Sequence, residues 1–517
     1  MVAAPPTRSQ IRQHLQGGCD VLVIGGGITG AGVALDAVTR GYRVALVDRG
    51  DFAGGTSSRS TKLVHGGLRY LPQGRLGLVR EALIERERLR RLAPHLVRPL
   101  GFLVPLYAET ARPLGLGIPA LLRPLAPLAL RTGLWGYDVL ARTDLVHRRL
   151  RPADAAALVP AVRVEGLRAA FLYHDAQTDD LLLTLAVLAT ARRFGALTLN
   201  HSEVTAVAMG SPARVRILDR LDGTTYEVTA RHVVNAAGIW AEEVAGLAGA
   251  VPFRIERSKG VHLVLDGADL FGATALVIPE TDDGRLAFAI PWYGRVLLGT
   301  TDDSYAGDAD APRATAAEAR YLLDHLNRYL RISLPRQAVV SAFAGLRPLV
   351  QRGAARSAEL SRSHEVVQHA SGLVSIVGGK LTTYRRMAED TVDLLVRRDG
   401  RRLPCRTATL PLDDREPAVQ ALIASEPALA RPLVPGLPVR AADVVYACRA
   451  EQCLHVVDFM FSRSHLAVLD RDHGLGCVEG VARLMAGELG WSTAEVAAQV
   501  RRYRERVALE TAFLADL

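Results

Sequence analysis

Residues 19–49, CDVLVIGGGITGAGVALDAVTRGYRVALVDR, decide the fold of this chain. They predict a buried strand, a glycine turn, an alanine-rich helix and a second strand, which together form a βαβ unit. Gly25, Gly27 and Gly30 have the G-x-G-x-x-G spacing, and Asp48 closes the second strand. Such glycines permit a tight turn, close approach to a pyrophosphate and helix packing, while the acid accepts from a ribose hydroxyl. The sequence therefore predicts a dinucleotide-binding unit.

The next segment, DFAGGTSSRSTKLVHGGLRYL at 51–71, is rich in glycine, hydroxyl and basic side chains. A nicotinamide-binding domain would normally enter a helix directly at this point, so the loop is suited to a polar, extended ligand. Two further strand-glycine-helix junctions follow at 233–245 and 372–395. Three such junctions directed at one crevice favour a large two-part cofactor.

The chain of 517 residues is 49% hydrophobic and 23% charged, which predicts two or three folded domains. Its 63 Lys and Arg residues outnumber 54 Asp and Glu residues, for a formal net charge of +9. All but three of the basic residues are arginines without clustered aromatics, so we expect no nucleic-acid partner. The three lysines, Lys62, Lys259 and Lys380, lie in or beside the predicted site motifs, where we expect each ammonium to have a function.

Five cysteines spread over the chain without a dense spacing pattern favour a reducing cytoplasm. The first twenty residues have no apolar signal core, and no stretch reaches the ~18 apolar residues of a spanning helix, so we expect neither export nor a transmembrane segment. We also expect no metal site, because the candidate ligands lack a CxxC pair and their spacing suits helical core positions. Those candidates are Cys448, Cys453, His455, His473 and Cys477.

Two segments belong to the predicted substrate half of the chain. Residues 259–302 contain short apolar runs separated by turns, which predict an antiparallel meander forming a cavity wall. Residues 78–92 predict a helix whose charged residues, including Glu87 and Arg91, lie on a solvated face.

The stretch from Thr110 to Tyr137 has no acidic residue, and Arg112, Arg123 and Arg131 interrupt its apolar sequence. This composition is typical of a segment lying on an anionic membrane surface, with aromatic residues at the interface. It is equally typical of a buried cap segment or a subunit contact.

The motifs GGGITGAG, TSSRSTKLVHGGLRYL, NAAGIW, GLRPL and GGKLTTYR resemble the FAD-dependent glycerol-3-phosphate dehydrogenases. These are the membrane-associated respiratory enzymes within the D-amino-acid-oxidase-like flavoprotein superfamily. The match runs in order over most of residues 20–395, and residues 400–517 resemble the family's helical C-terminal domain more loosely, through RSHLAVLD and LMAGELGWS.

The resemblance implies an α/β fold, with a Rossmann-like FAD-binding domain, an antiparallel-sheet substrate or cap domain and an all-α C-terminal domain. Residues 19–397 would form the oxidoreductase region and residues 398–517 the C-terminal domain. Within the first region, the FAD-binding segments would be about 19–75, 155–245 and 345–397, and the cap segments about 76–154 and 246–344.

The implied reaction is oxidation of sn-glycerol 3-phosphate to dihydroxyacetone phosphate by hydride transfer to FAD, with electrons passed to the quinone pool. The alternatives are a glycerol-phosphate oxidase that uses oxygen and a flavin-dependent protein acting on RNA. We expect FAD to be bound non-covalently, because none of the five cysteines lies in a flavin-facing motif. The expected location is the cytoplasm, peripheral on the inner face of the cytoplasmic membrane, and a homodimer is left open.

The resemblance also implies the roles of the site residues. Arg69 and Arg362 match phosphate ligands, and Tyr70 adds a hydroxyl donor. Arg347 would lie beside the reacting carbon, and Lys380 would bridge substrate and flavin. The predicted cofactor-binding residues are Gly25, Gly27, Gly30, Asp48, Thr56, Ser57, Ser60, Lys62, Leu63, His65, Val204, Gly238, Trp240, Lys380, Leu381, Thr382 and Thr383.

The proton of the C2 hydroxyl requires a base, and His262 matches a histidine of the family's active site. A neutral imidazole is the ordinary side chain whose pKa lies near neutrality. The alternatives are that His262 is a core histidine and that Lys380 is the base, although an ammonium must first lose its own proton.

Overall fold

The computed structural model describes residues 7–71, 74–110, 125–143, 145–249, 251–351 and 364–517. The helices within these ranges are α1 Arg8–Gln16, α2 Ile28–Thr39, α3 Leu76–Leu92, α4 Ala126–Ala141, α5 Pro152–Leu158, α6 Asp180–Arg193, α7 Ala241–Gly246, α8 Ala316–Asn327, α9 Tyr384–Arg398, α10 Glu416–Ser425, α11 Ala441–Ala450, α12 Leu466–Leu469, α13 Val478–Leu489 and α14 Thr493–Thr511. The strands there are β1 Cys19–Ile24, β2 Val44–Val47, β3 Leu63–Val64, β4 Arg98–Tyr107, β5 Arg148–Leu150, β6 Leu167–Gln177, β7 Leu197–Leu199, β8 Ser202–Ala208, β9 Ala213–Asp219, β10 Thr225–Asn235, β11 Arg254–Leu265, β12 Thr274–Ile278, β13 Ala287–Trp292, β14 Arg295–Gly299, β15 Asp303–Ser304, β16 Val339–Gln351, β17 His364–Gln368 and β18 Val374–Gly378.

The first sheet has the predicted dinucleotide-binding architecture. Its strand order is β17-β18-β10-β1-β2-β7, and β1 pairs in parallel with β10 and β2. Val21, Leu22 and Val23 of β1 are fully buried, as expected for a parallel strand covered on both faces. Helix α2 packs between α6 and α9 over this sheet. The first strand of the fingerprint is therefore central, and its carboxyl end meets those of its neighbours.

The second sheet has the order β15-β11-β14-β13-β12-β4-β6-β3, with β16 paired along the length of β11. The strands β12, β13, β14 and β11 are successive antiparallel neighbours, which confirms the predicted meander. Strand β6 lies inside the predicted FAD-binding segment 155–245 but pairs with β4 in the second sheet. The long β6 therefore links the two predicted halves.

The charge run of α3 is not wholly solvated, so that prediction was wrong. Glu85 and Arg86 are buried, and the Glu85 carboxylate accepts two hydrogen bonds of 2.7 Å from Arg385 on α9. Arg86 pairs with Asp175 on β6 at 2.6 Å. A helical periodicity places these charges on one face but does not reveal the partners that other elements bring to that face.

The C-terminal region is all-α, as predicted. Helices α11, α13 and α14 pack around a core that includes Phe459, Leu466 and Tyr503. Within the described residues, every helix is too short or too polar to cross a bilayer.

Candidate active site

One cavity of about 1120 Å³ is lined by residues of both sheets and of the C-terminal domain. Part of its lining comes from the βαβ unit, through Gly25, Gly27 and Asp48. Its walls also include Tyr173 and Arg347, which lie on the second sheet.

The glycine turn has the geometry expected of a pyrophosphate cradle. Gly25 has φ +110°, and a Cβ there would lie 2.6 Å from the carbonyl oxygen of Ala236. A Cβ on Gly30 would lie 1.9 Å from the carbonyl oxygen of Gly25, so Gly30 serves helix packing. Helix α2 begins after Gly27, which has no side-chain cap, and its first turn lines the cavity. The residues present therefore fit a bound dinucleotide, since the positive end of the α2 dipole faces the cavity.

Asp48 follows β2 and faces the same cavity. Its carboxylate accepts from the Gly26 N–H at 2.6 Å and from the Gly50 N–H at 2.8 Å. Burial raises the pKa of Asp48, and these two amides counteract that effect. The acid thus braces the turn as well as facing the space predicted for a ribose.

The loop after Asp48 is held by polar contacts to distant elements. The Thr56 hydroxyl donates to the Leu346 carbonyl at 2.6 Å, and Ser57 Oγ accepts from the Ile28 N–H at 2.9 Å. Thr382 Oγ1 accepts from the His65 N–H at 3.1 Å. The predicted cofactor motifs therefore contact one another directly.

The three lysines differ in environment, and the expectation that all of them lie at the site was wrong. Lys380 and Lys62 line the cavity, although the Lys62 ammonium is buried and bound to Asp180 and, at 2.6 Å, to the Ser58 carbonyl. Lys259 pairs with Glu318 at 2.9 Å and is not among the residues lining the cavity.

Lys380 and Arg347 are among the cationic side chains that line the cavity. Lys380 Nζ lies 4.1 Å from the centre of the Tyr70 ring. Arg347 donates to Asp302 at 3.0 Å, to the Thr300 hydroxyl at 3.0 Å and to the Thr301 carbonyl at 3.1 Å. A Cβ on Gly260 of the paired strand would lie 2.4 Å from Arg347 Nη2, so that glycine makes room for the guanidinium.

His262 lies behind the cavity wall, between two residues that line it. Its Nε2 is 2.9 Å from Thr61 Oγ1, and its ring stacks on Phe343 with centroids 5.0 Å apart. Nδ1 is buried and has no hydrogen-bond partner among the described residues. Burial lowers the pKa of His262 well below 6.5, and the positive charges of Arg347 and Lys62 add to this. The imidazole is therefore neutral, but its pKa is not near neutrality as the sequence suggested.

Most predicted site residues line this one cavity. Arg69 belongs to a 3₁₀ turn at Leu68–Tyr70, and Arg362 lies outside the described residues. Three predicted residues, Gly30, His262 and Thr383, are not among the lining residues. Those that line it are Gly25, Gly27, Asp48, Thr56, Ser57, Ser60, Lys62, Leu63, His65, Tyr70, Val204, Gly238, Trp240, Arg347, Lys380, Leu381 and Thr382.

Sequence reasoning missed the aromatic wall and the contribution of the C-terminal domain. Phe343 lies four residues before Arg347 on β16, and strand alternation places both on one face, so this residue was within reach of the pattern. Trp292 and His465 also line the cavity, and no local signal in the sequence connects them to it.

Three residues meet at the boundary between the FAD-binding and C-terminal regions: His201, His455 and Asp458. Of the five metal ligands considered from the sequence, this group contains only His455. Gln499 donates to His455 Nδ1 at 3.0 Å, and its orientation is set by the Val456 N–H, which donates to its Oε1 at 3.2 Å. The neutral His455 therefore carries its proton on Nε2, which favours a hydrogen-bonded domain contact over metal binding.

Comparison with known proteins identifies the class. Residues 20–385 match the family model described as "DAO: FAD dependent oxidoreductase", and residues 414–496 match that of the C-terminal domain of alpha-glycerophosphate oxidase. The fold and the glycine-lined cavity are thus those of an FAD-dependent oxidoreductase, and FAD is its cofactor.

The relatives identify the family within this class of oxidoreductases. Glycerol-3-phosphate dehydrogenase 2 of Mycobacterium tuberculosis is 35% identical over 95% of this chain and 88% of its own length. The Synechocystis glycerol-3-phosphate dehydrogenase is 34% identical over 94% and 96%. The crystal structure of the Bacillus halodurans glycerol-3-phosphate dehydrogenase complexed with FAD has a TM-score of 0.77 at 29% identity, covering 97% of both chains. The chain belongs to the glycerol-3-phosphate dehydrogenase family, which confirms the resemblance noted in its motifs.

Proposed function

We propose that this protein oxidises sn-glycerol 3-phosphate to dihydroxyacetone phosphate and passes the electrons to a membrane quinone. The observation that carries the substrate assignment is that Arg347, Lys380 and Tyr70 line the same cavity as the glycine turn. A phosphorylated polyol is anionic, and such a wall offers it charge-assisted hydrogen bonds. The names of the relatives support the same substrate.

FAD, held by the glycine turn and by Asp48, would supply the acceptor for the hydride that leaves C2 of the substrate. Arg347 and Lys380 stabilise the negative charge that develops on the C2 oxygen, because fixed cations in a partly dry cavity act strongly there. Asp302 and Thr300 hold the Arg347 guanidinium in place. Arg69 and Arg362 are proposed as the phosphate ligands on the basis of their motifs.

His262 is proposed to receive the proton of the C2 hydroxyl through Thr61. The Thr61 hydroxyl lines the cavity and lies 2.9 Å from His262 Nε2, so a proton accepted from the substrate side can pass to the imidazole. The low pKa of His262 makes it a weak base when the cavity holds no anion. Burial is the larger cause of that low pKa and remains when substrate is bound, whereas a dianionic substrate offsets the smaller contributions of Arg347 and Lys62 and so favours proton acceptance.

The quinone assignment rests on α4. Leu128, Trp135 and Val139 are each more than half exposed, and at 100° per residue they lie within an arc of about 40° on one face of the helix. Arg131 and Arg142 are exposed beside them. An exposed apolar stripe flanked by arginines is suited to an anionic bilayer surface.

The opposite face of α4 contacts the site. Tyr137 ends the stretch for which the sequence left a membrane surface and a buried cap segment open. It is buried, and its hydroxyl accepts from the Gly66 N–H at 3.0 Å and donates to Asp175 at 2.7 Å. Gly66 adjoins His65 and Gly67, both of which line the cavity. A helix lying on a membrane would therefore place the cavity close to a lipid-soluble acceptor, at the cytoplasmic face of the membrane.

A glycerol-phosphate oxidase is the second candidate, because the C-terminal region matches a domain described for alpha-glycerophosphate oxidase. The fold is also shared with an L-α-glycerophosphate oxidase from Mycoplasma pneumoniae, at a TM-score of 0.59 and 19% identity. The two activities differ only in what reoxidises the reduced cofactor.

The test is anaerobic mixing with glycerol 3-phosphate, followed by addition of either oxygenated buffer or a soluble quinone. We expect the flavin absorbance to bleach on mixing and to return much faster with quinone than with oxygen. Absence of bleaching contradicts the substrate assignment, and rapid return with oxygen alone favours the oxidase.

A further inference from the structure

The C-terminal domain supplies part of the cavity wall, through residues that include Phe461, His465 and Val468. Two of them, His465 and Val468, belong to a segment that we call the clamp segment, Arg463 to Leu469. It runs from the last residue of the π-helical turn at Asp458–Arg463 through α12.

The clamp segment is attached to the FAD-binding half by a buried ion pair. The Arg463 guanidinium donates to both oxygens of Asp51, at 2.6 and 2.8 Å. Asp51 lies in the loop after β2, three residues beyond Asp48, and also lines the cavity. A bidentate pair of this kind fixes orientation as well as distance.

The other end of the clamp segment is attached to the second sheet. The Val468 carbonyl accepts from the Ser341 hydroxyl at 2.6 Å, and the Leu469 carbonyl accepts from Arg295 Nε at 2.8 Å. Ser341 lies on β16, the strand that carries Arg347. The segment therefore bridges the two halves of the oxidoreductase core beside the cavity.

His465 lies between these attachments in an unusual backbone conformation, with φ +56°. A left-handed conformation at a residue other than glycine is uncommon and clusters at functional positions. The ring of His465 packs against Trp292, with centroids 5.2 Å apart, and Trp292 also lines the cavity. His465 Nε2 is 2.7 Å from Asp179 Oδ2.

The partner of His465 connects it to the loop between β2 and β3, residues 48–62, which we call the cofactor loop. Asp179 caps α6 by accepting from the Leu182 N–H at 3.0 Å. The next residue, Asp180, holds Lys62 and accepts from the Ser60 N–H at 2.9 Å. Lys62 in turn lies 5.3 Å from the centre of the Phe343 ring, on which His262 stacks. Displacing Asp179 would thus disturb both the cofactor loop and the wall in front of His262.

We infer that His465 is a positioning residue of the active site: through its hydrogen bond to Asp179 and its contact with Trp292, the C-terminal domain sets the geometry in which the bound cofactor is reduced. This rests on the proposed function for its kinetic test. The C-terminal domain is accordingly a part of the structure that forms the site.

The kinetic test uses His465→Ala and His465→Gln holoenzymes with glycerol 3-phosphate in anaerobic stopped flow. We expect His465→Ala to retain FAD but to reduce it roughly 10- to 100-fold more slowly at saturating substrate, the usual cost of lost positioning. Glutamine places an amide N–H near the position of Nε2, so His465→Gln should recover most of that rate.

The matched control is His232→Ala. His232 is a buried histidine bonded to Asp399 at 2.9 Å, and it is not among the residues lining the cavity. It should lose comparable stability and keep the parental reduction rate. A parental rate in His465→Ala, equal slowing in the control, or no recovery in His465→Gln overturns the inference.

Two further measurements examine the contact between His465 and Asp179 independently. Asp179→Asn keeps the size of the side chain and a good helix cap, and it should slow reduction as His465→Ala does; an unchanged rate contradicts the inference. Hydrogen exchange of the Leu181 and Leu182 amides, which requires no substrate, should accelerate in His465→Ala and not in His232→Ala. If the parental protein is not reduced by glycerol 3-phosphate, the proposed function fails, and the exchange measurement still decides whether His465 holds Asp179.

Discussion

Lys380 Nζ lies 4.1 Å from the centre of the Tyr70 ring, which brings together two motifs from opposite ends of the oxidoreductase region. The pairing of the His65 N–H with Thr382 Oγ1 joins the same two motifs one step away. The loop after β3 and the turn after β18 therefore form a continuous wall. The face of the tyrosine ring attracts the ammonium and holds it at this wall of the cavity.

Replacing Lys380 with Met should lower the rate of flavin reduction by roughly 10- to 10²-fold, while FAD stays bound. The reason is the loss of one charge-assisted hydrogen bond to the substrate, worth about 1.5 to 3 kcal/mol. Stopped-flow reduction measures the rate, and the visible spectrum reports the flavin. Lys259→Met is the control, because Lys259 pairs with Glu318 away from the cavity. Equal losses in both variants would remove Lys380 from the chemistry.

The sequence predicts well what depends on local backbone geometry. The turn at Gly25 requires a conformation that only glycine tolerates beside Ala236. The motif GGKLTTYR likewise begins with two glycines at the end of a strand. The sequence of each of these motifs is sufficient to indicate its local structure. They were therefore sufficient to predict the first sheet and most of the residues that line the cavity.

What the sequence could not supply is the identity of distant partners. Tyr137 and Trp135 lie two residues apart in one apolar stretch, yet one is buried against Asp175 and the other is exposed. Both are aromatic residues of the same apolar stretch, so the composition of the stretch does not distinguish them. The packing of α4 does. His465 was missed for the same reason, since its partner Asp179 lies 286 residues away.

FAD should be released completely when the protein is precipitated with acid. Among the described residues, none of the cysteines lines the cavity, and burial raises the pKa of Cys19 to about 12, which disfavours its thiolate. His65, which lies in one of the predicted cofactor motifs, is a nucleophilic side chain that does line it. The flavin absorbance of the supernatant and of the pellet shows whether all of the FAD is released. Yellow colour retained on the pellet contradicts the prediction, and His65→Ala then shows whether His65 is the attachment point.

His262 should make the folded protein less stable as the pH falls below about 6.5. Its pKa is lowered on folding, so the unfolded state binds the proton more readily, and stability is complete above the unfolded pKa and lost below it. Between pH 7.5 and 5.5 one such group costs about 1.4 kcal/mol of unfolding free energy. Urea unfolding of His262→Gln should therefore show that much less pH dependence over this interval. A variant with the parental pH dependence would indicate that folding does not lower the pKa of His262.

The exposed stripe of α4 should attach the protein to anionic membranes. Trp135 is 63% exposed and Leu128 is 62% exposed, and burying such side chains in the interface contributes on the order of 1.5 to 3 kcal/mol each. Trp135→Glu should abolish most flotation with anionic liposomes, because it removes apolar area and adds a charge repelled by the headgroups. Ile332→Glu is the control, since Ile332 is 67% exposed at a different place in the chain. We expect the control to float like the parent, and salt to weaken parental binding only in part, because the arginine contribution is screened and the apolar contribution is not. Flotation that is unchanged in Trp135→Glu, or lost equally in both variants, would show that this stripe is not the membrane-binding face.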